Sequence, residues 1–272
     1  MHRFFVEPEL LVGAGAMNWW ALHAAPTTTL PAKLAHQVRD VLHIGVGEQL
    51  MLLDNSGDEF VAEVIKSTRT GVEVQFVERR AGKKSLVRIT LCQGLLKSAR
   101  FEWILEKGTE LGVTTFVPTL CHRSMAGLEH SGPSKLQRWQ HIIQEAAEQC
   151  GRTRLPELLP IRPLTHALHD IPPGALALML WEEEREHSLR DVLRLRKEEI
   201  SSPGDTQSID AQFTKPAITV VLFIGPEGGL MAEEIKLAQR YGVQVVTLGT
   251  RILRAETAAL TTIANVMYEL EG

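Results

Sequence analysis

Only three cysteines, Cys92, Cys121 and Cys150, occur in the 272 residues, far apart and never in a CxxC spacing. Their odd number and separation exclude a disulfide framework and a thiolate zinc site, and suit a reducing compartment. Positive charge is not in surplus either: 29 Lys and Arg face 33 Asp and Glu, a formal net charge of −4. A protein that holds nucleic acid through overall charge is thereby excluded, although a basic patch on one face remains compatible with this balance. No apolar run approaches the roughly 20 residues of a membrane-spanning helix, and the start MHRFFVEPELL lacks a signal-peptide core. We therefore expect a cytoplasmic protein with no membrane partner. His36, His122 and His141 do not pair at the i, i+4 spacing of a helical metal site, so no metal is expected. No GxSxG accompanies Lys97-Ser98, which removes the hydrolase reading, and no internal repeat is evident.

What is present is an ordinary globular composition, 44% hydrophobic, long enough for a small and a medium domain. EQLMLLD, EFVAEVIKS and GVEVQFVE, joined by DNSGD and TRTG, predict short strands within 36–78. ERRAGKKS, 78–85, has a linker composition. Beyond it, LVRITLC, TTFVPTL, ALALMLW, ITVVLFI and VQVVTL alternate with helix-period segments, predicting an α/β domain with a parallel sheet. The spacing of Leu136, Trp139, Ile143, Ala146 and Cys150 predicts one buried face of a helix over 133–150. A second helix, carrying Phe101, Ile104, Leu105, Gly108 and Leu111, is expected to stop at Gly112. The charged stretch 182–199 suits a solvated helix and flanking loop, and 200–217 has a loop composition.

The chemistry concentrates in FIGPEGGL, 223–230. It is a strand feeding a glycine-rich turn and then a helix, yet it matches neither GxGxxG nor GxxxxGK[ST] and lacks the lysine of a phosphate loop. Backbone N–H groups would face a ligand there, but Glu227 would repel a phosphate. The acid fits a ligand with hydroxyls and positive charge, such as S-adenosylmethionine; a structural turn with an exposed glutamate fits the same residues. LGTRILRAETAAL, 248–260, adds two arginines, an acid at a helix start and Thr257 as a candidate cap. Consecutive β–α turns of this kind converge at one edge of a parallel sheet, where such folds bind ligands.

Together, FIGPEGGL and LGTRILRAETAAL resemble the C-terminal signature of SPOUT methyltransferases of the ribosomal RNA small subunit methyltransferase E type. HRFFVEP, FEWILEKGTELGV and KLQRWQHIIQEAAEQCGR extend the resemblance over nearly the whole chain. The resemblance implies an S-adenosylmethionine-dependent enzyme that methylates N3 of a uridine in 16S ribosomal RNA of the small ribosomal subunit. It also implies a homodimer, a PUA-like RNA-binding β-barrel over 1–78 and a SPOUT domain with a C-terminal trefoil knot over 84–272. The cofactor would be held by Leu180, Trp181 and Glu182, by Ile224, Gly225, Pro226, Glu227, Gly228, Gly229 and Leu230, and by Leu248, Gly249, Arg251, Ile252 and Leu253.

Arg254, expected to be fixed near Glu256, would stabilise negative charge on the uracil or clamp a phosphate; Glu256 is the alternative proton acceptor. Arg3, Arg39, Arg100, Arg123 and Arg152 are the candidate RNA contacts. Departures from the family pattern fall at His43, Ser98-Ala99, the residue before Arg123 and Thr250, and they bear on RNA recognition. A SPOUT enzyme with another RNA target, or a non-catalytic ribosome-assembly factor, is the competing reading.

Overall fold

The structure, a computed structural model, describes residues 1–13, 16, 25–83, 85–124, 132–201 and 217–271. Most of the expected 200–217 loop thus lies outside the described residues. The chain separates into two compact units, Met1–Lys84 with Ala147–Leu155, and Ser85–Ala146 with Pro156–Gly272.

The first unit runs β1 (His2–Phe5), α1 (Pro8–Gly13), β2 (Thr27–Thr29), α2 (Ala32–His36, continued by a π turn through Val41), β3 (Gln49–Leu53), β4 (Asp58–Thr68) and β5 (Gly71–Ala81). Its sheet has the order β1-β3-β4-β5-β2, antiparallel except for the β1–β3 pair. Alternate residues, among them Leu50, Leu52, Phe60, Ala62, Val72, Val74 and Phe76, point into one core, as the period-2 pattern requires. DNSGD makes the expected turn, with Asn55 and Gly57 at positive φ and Asp54 accepting from the Ser56 N–H and hydroxyl. Residues 147–155 join this unit through hydrogen bonds: the Phe5 N–H donates to Glu148 and the Leu155 N–H to Asn55. β5 continues to Ala81, past the expected boundary at 78 and into the expected linker. Charge pairing replaces apolar alternation there, because Arg79 pairs with Asp58 and lies over the Phe60 ring.

The second unit runs β6 (Val87–Gly94), α3 (Ser98–Glu110), β7 (Val113–Leu120), α4 (Pro133–Cys150, whose last turn belongs to the first unit), β8 (Glu157–Leu158), β9 (Arg162–Pro163) and α5 (Leu164–His169). It continues with β10 (Leu176–Leu180), α6 (Leu189–Ser201), β11 (Ile218–Ile224), α7 (Ala232–Arg240), β12 (Gln244–Val246) and α8 (Ala255–Glu271). Each of the five apolar runs contains a strand. The sheet is parallel throughout, ordered β12-β10-β11-β6-β7-β8, with β9 also on β7.

Residues of alternating parity feed two cores. Leu178, Leu180, Leu222 and Ile224 pack with α3, α4, α6 and α8; Ala177, Met179, Val221 and Phe223 pack with α5 and α7. Burial on both faces is why these strands read as unbroken apolar runs. After β12, at the sheet edge, the chain returns so that α8 packs on α3, α6, β6 and β11.

The two expected helices are α3 and α4, and Gly112 takes φ +105 after α3. Trp139 is buried against Phe101, ring centroids 4.5 Å apart. Cys150 corrects the periodic reading of α4: it is exposed at the last helical position, beyond the cover that Ile143 and Ala146 receive. Among the described residues, no helix is long and apolar enough to cross a membrane.

Candidate functional site

Because the strands are parallel, the turns after β6, β10, β11 and β12 all emerge at one edge of the sheet. They enclose a cavity of about 390 Å³. Leu180, Trp181 and Glu182 line it from the end of β10; Ile224, Gly225, Pro226, Glu227, Gly228, Gly229 and Leu230 from the turn after β11; and Leu248, Gly249, Arg251, Ile252, Leu253, Arg254 and Glu256 from the segment between β12 and α8. The structure thus brings the whole expected cofactor set into one cavity. Val246, Thr247, Thr250, Ala255, Ala258 and Arg100 also line it and were not assigned to it from the sequence. Arg100 was expected at RNA instead. The signal for it lay in the topology, since the first turn of α3 follows β6 at the same edge.

The glycine turn is positioned by contact and conformation. Gly94, the last residue of β6, leaves room that a side chain would fill, because an added Cβ would lie 2.5 Å from Pro226 N. The Gln93 amide donates to the Gly94 and Gly225 carbonyls at 3.1 and 3.3 Å, pinning the turn to β6. The Gly229 N–H closes it onto the Pro226 carbonyl at 2.9 Å, with Gly229 at φ +73. Behind the turn, Glu234 accepts from the Met231 and His122 N–H groups and so satisfies the start of α7. The segment after β10 is tied to the end of β12 by a Trp181 N–H to Val246 carbonyl bond of 3.2 Å and by the Ser188–Thr247 bridge.

Glu182, Glu227 and Glu256 line the cavity with Arg100, Arg251 and Arg254, and two of these carboxylates, Glu227 and Glu256, flank the Arg100 guanidinium. Glu227 Oε1 accepts from the Lys97 N–H at 3.3 Å and from Arg100 Nη1 at 3.4 Å. Glu256, in the first turn of α8, is buried, and its Oε1 lies 3.7 Å from Arg100 Nε. The partner of Glu256 is therefore Arg100, not Arg254 as expected; Arg254 is exposed and its guanidinium has no partner among the described residues. Glu256 Oε2 is buried without a hydrogen-bond partner among the described residues. Thr257, expected as a cap, falls inside α8, which begins at Ala255. Two carboxylates, one with an unmet oxygen, suit a ligand that donates hydrogen bonds and carries positive charge.

The remaining arginines are distributed. Arg3, Arg39 and Arg152 belong to the first unit. Arg3 is half-buried with its Nε unpartnered, and Arg39 is engaged by Asp40 and by the Thr68 carbonyl. The Arg39 hydrogen bond, and next that of His36, hold the Asp40 carboxyl well below its ordinary range. Arg123 is in the second unit, donating from Nη1 to the Gly228 carbonyl at 2.9 Å, so it braces the glycine turn. Among the described residues, no group of three or more His, Cys, Asp or Glu is placed to hold a metal ion.

Comparison with known proteins follows the same lines. A model of the RNA methyltransferase domain matches residues 83–267. The ribosomal RNA small subunit methyltransferase E of Bacillus subtilis is 28% identical over 100% of this chain and 98% of its own length. The Synechocystis protein of that name is 32% identical over 100% of this chain and 78% of its own length. The crystal structure of the Neisseria gonorrhoeae protein of that name, bound to S-adenosyl methionine, superposes with a TM-score of 0.78 at 29% identity, covering 98% of this chain and 97% of that one. The chain belongs to the RNA methyltransferase domain family, in its ribosomal RNA small subunit methyltransferase E branch.

Proposed function

We propose that the protein transfers a methyl group from S-adenosylmethionine to N3 of a uridine in 16S ribosomal RNA of the small ribosomal subunit. The observation that carries this reading is the single cavity formed by the three turns, with Glu227 and Glu256 in it and Glu256 Oε2 lacking a donor. These acceptor carboxylates fit the ammonium, sulfonium and hydroxyl groups of this cofactor. The relatives' names, and the cofactor bound in the gonococcal structure, support the same choice.

When bound, the cofactor supplies an electrophilic methyl group on a cationic sulfur. The chain's own residues must then orient the uracil and assist loss of its N3 proton. Positioning supplies much of the acceleration in such a reaction. Arg254, exposed at the cavity and without a partner among the described residues, is available to stabilise negative charge on the uracil carbonyl oxygens. Glu256, with its unmet oxygen, is the group in the cavity suited to accept a proton or a hydrogen bond. Arg3, Arg39 and Arg152 on the first unit, with Arg123 on the second, are the proposed RNA contacts.

In our reading the first unit is the PUA-like barrel, and the return of the chain from β12 to α8 closes the C-terminal trefoil knot. The enzyme works as a cytoplasmic homodimer without a metal. The test is nucleoside mass spectrometry of 16S ribosomal RNA from cells with and without the gene. N3-methyluridine is expected to disappear on deletion and to return with the wild-type gene; an unchanged level overturns the proposal.

A further inference from the structure

Arg100 reaches the cavity from α3, outside the three turns, and its guanidinium stands between the two carboxylates. Both contacts are long, 3.4 Å to Glu227 and 3.7 Å to Glu256, where charge-assisted bonds of this kind usually close to about 2.8 Å. The Arg100 side chain keeps 41% of its surface exposed. The guanidinium is thus loosely held and already partly in water.

Its partners are unequal. Glu227 Oε1 has a second donor in the Lys97 N–H, whereas Glu256 is only 9% exposed and its Oε2 has none. A buried carboxylate oxygen without a donor favours any ligand that brings one. The three side chains sum to one net negative charge. A ligand with a positive charge at sulfur competes with Arg100 for these carboxylates more strongly than one neutral at sulfur, which keeps only the ammonium and hydroxyl donors.

We propose that Arg100 couples the charge of the bound cofactor to RNA binding. Without cofactor it is retained by Glu227 and Glu256; a cationic cofactor takes over those carboxylates, and the released guanidinium engages an RNA phosphate. The inference rests on the proposed function and adds an order to it, with methyl donor before RNA. Arginine suits the exchange because its permanently charged fork pairs with carboxylate and phosphate alike. Methyl transfer removes the positive charge from sulfur, so Arg100 returns to the carboxylates and the methylated RNA is held less tightly. A ligand shifts an equilibrium only by its differential affinity for the two states, and here that difference is the charge at sulfur. The coupling is reciprocal, so RNA must in turn favour the cationic cofactor.

The test measures binding of the full-length protein to small ribosomal subunits from cells lacking the gene. One arm contains sinefungin, an unreactive analogue with an amine in place of the methyl sulfonium; the other contains S-adenosylhomocysteine, neutral at sulfur. Wild type is expected to bind subunits on the order of tenfold more tightly with sinefungin. Arg100→Met is expected to bring that ratio to about one while calorimetry still shows both analogues bound, and Arg100→Lys to retain part of it. A wild-type ratio near one, or a wild-type ratio kept by a folded Arg100→Met, overturns the coupling and leaves the methyltransferase reading standing. Should Arg100→Met fail to fold, a full ratio in Arg100→Gln overturns it equally. Failure of wild type to bind either analogue sinks the cofactor assignment, and the coupling with it.

Discussion

A Cβ placed on Gly94 would lie 2.5 Å from the backbone nitrogen of Pro226. The Cβ position is fixed by the backbone of residue 94 and the atom it meets is itself backbone, so no rotamer change relieves the contact. β6 can therefore approach the turn after β11 this closely only with glycine in that position. Gly94→Ala is expected to cost about 2 kcal/mol, as overpacking of a tight site does, and to displace the turn. Cofactor affinity should fall by on the order of tenfold, since about 1.4 kcal/mol of lost binding corresponds to that factor. Calorimetry with S-adenosylmethionine and thermal unfolding measure both quantities. An unchanged affinity would show that the turn does not depend on β6 for its position.

Gly229 is constrained differently. It has φ +73, and an added Cβ would crowd Glu182 Oε1 at 2.6 Å, the end of a flexible side chain, with Arg123 Nη1 at an ordinary 3.7 Å. The carboxylate can swing aside, whereas the left-handed backbone cannot be relieved, so Gly229→Ala is expected to cost about 1–2 kcal/mol. Adding Glu182→Ala should recover little of that. Urea denaturation of the single and double variants distinguishes the two causes, because recovery in the double variant would assign the cost to side-chain crowding.

The sequence made the second unit legible because its strands are covered on both faces, so ITVVLFI and ALALMLW show as continuous apolar runs. Trp139, Ile143 and Ala146 showed the buried face of α4 for a similar reason. The same periodicity misled at Cys150, because a repeat pattern records spacing and not where the helix loses its cover. The polar end of β5 was hidden by compensation across strands, Arg79 with Asp58, which a one-dimensional pattern does not display. At the site, the glycine turn and the RILRAETA segment were readable because unusual residue types crowd into short stretches. Arg100 was not, since it belongs to the cavity through parallel strand order and is separated from Glu256 by more than half the chain.

Arg254 has a cavity-facing position and no partner among the described residues, in contrast to Arg100. Its removal should leave stability within about 0.5 kcal/mol of wild type, as for an exposed residue without contacts. If it stabilises charge developing on the uracil, Arg254→Ala should lower kcat by roughly 100- to 1000-fold and leave cofactor affinity intact. Single-turnover methylation of small ribosomal subunits and calorimetry separate these effects. Normal single-turnover rates would remove Arg254 from the catalytic assignment.

The three thiols should behave as two classes. Burial pushes the Cys92 thiol from its ordinary value of 9.0 up to about 12, and raises that of Cys121 as well, while Cys150 is exposed. Iodoacetamide at pH 8 should therefore modify Cys150 in the native protein, and Cys92 and Cys121 only after unfolding, as peptide mass spectrometry can show. The raised value also fixes a sign. The folded state keeps the Cys92 proton at a pH where the unfolded chain releases it, so this contribution is intact below about pH 9 and is lost as pH rises towards 12. Unfolding free energies measured between pH 9 and 11 should fall less steeply in Cys92→Ala than in wild type, by at most about 1.4 kcal/mol per pH unit. Equal slopes in the two proteins, or rapid alkylation of native Cys92, would place that thiol in contact with solvent and contradict its burial on β6.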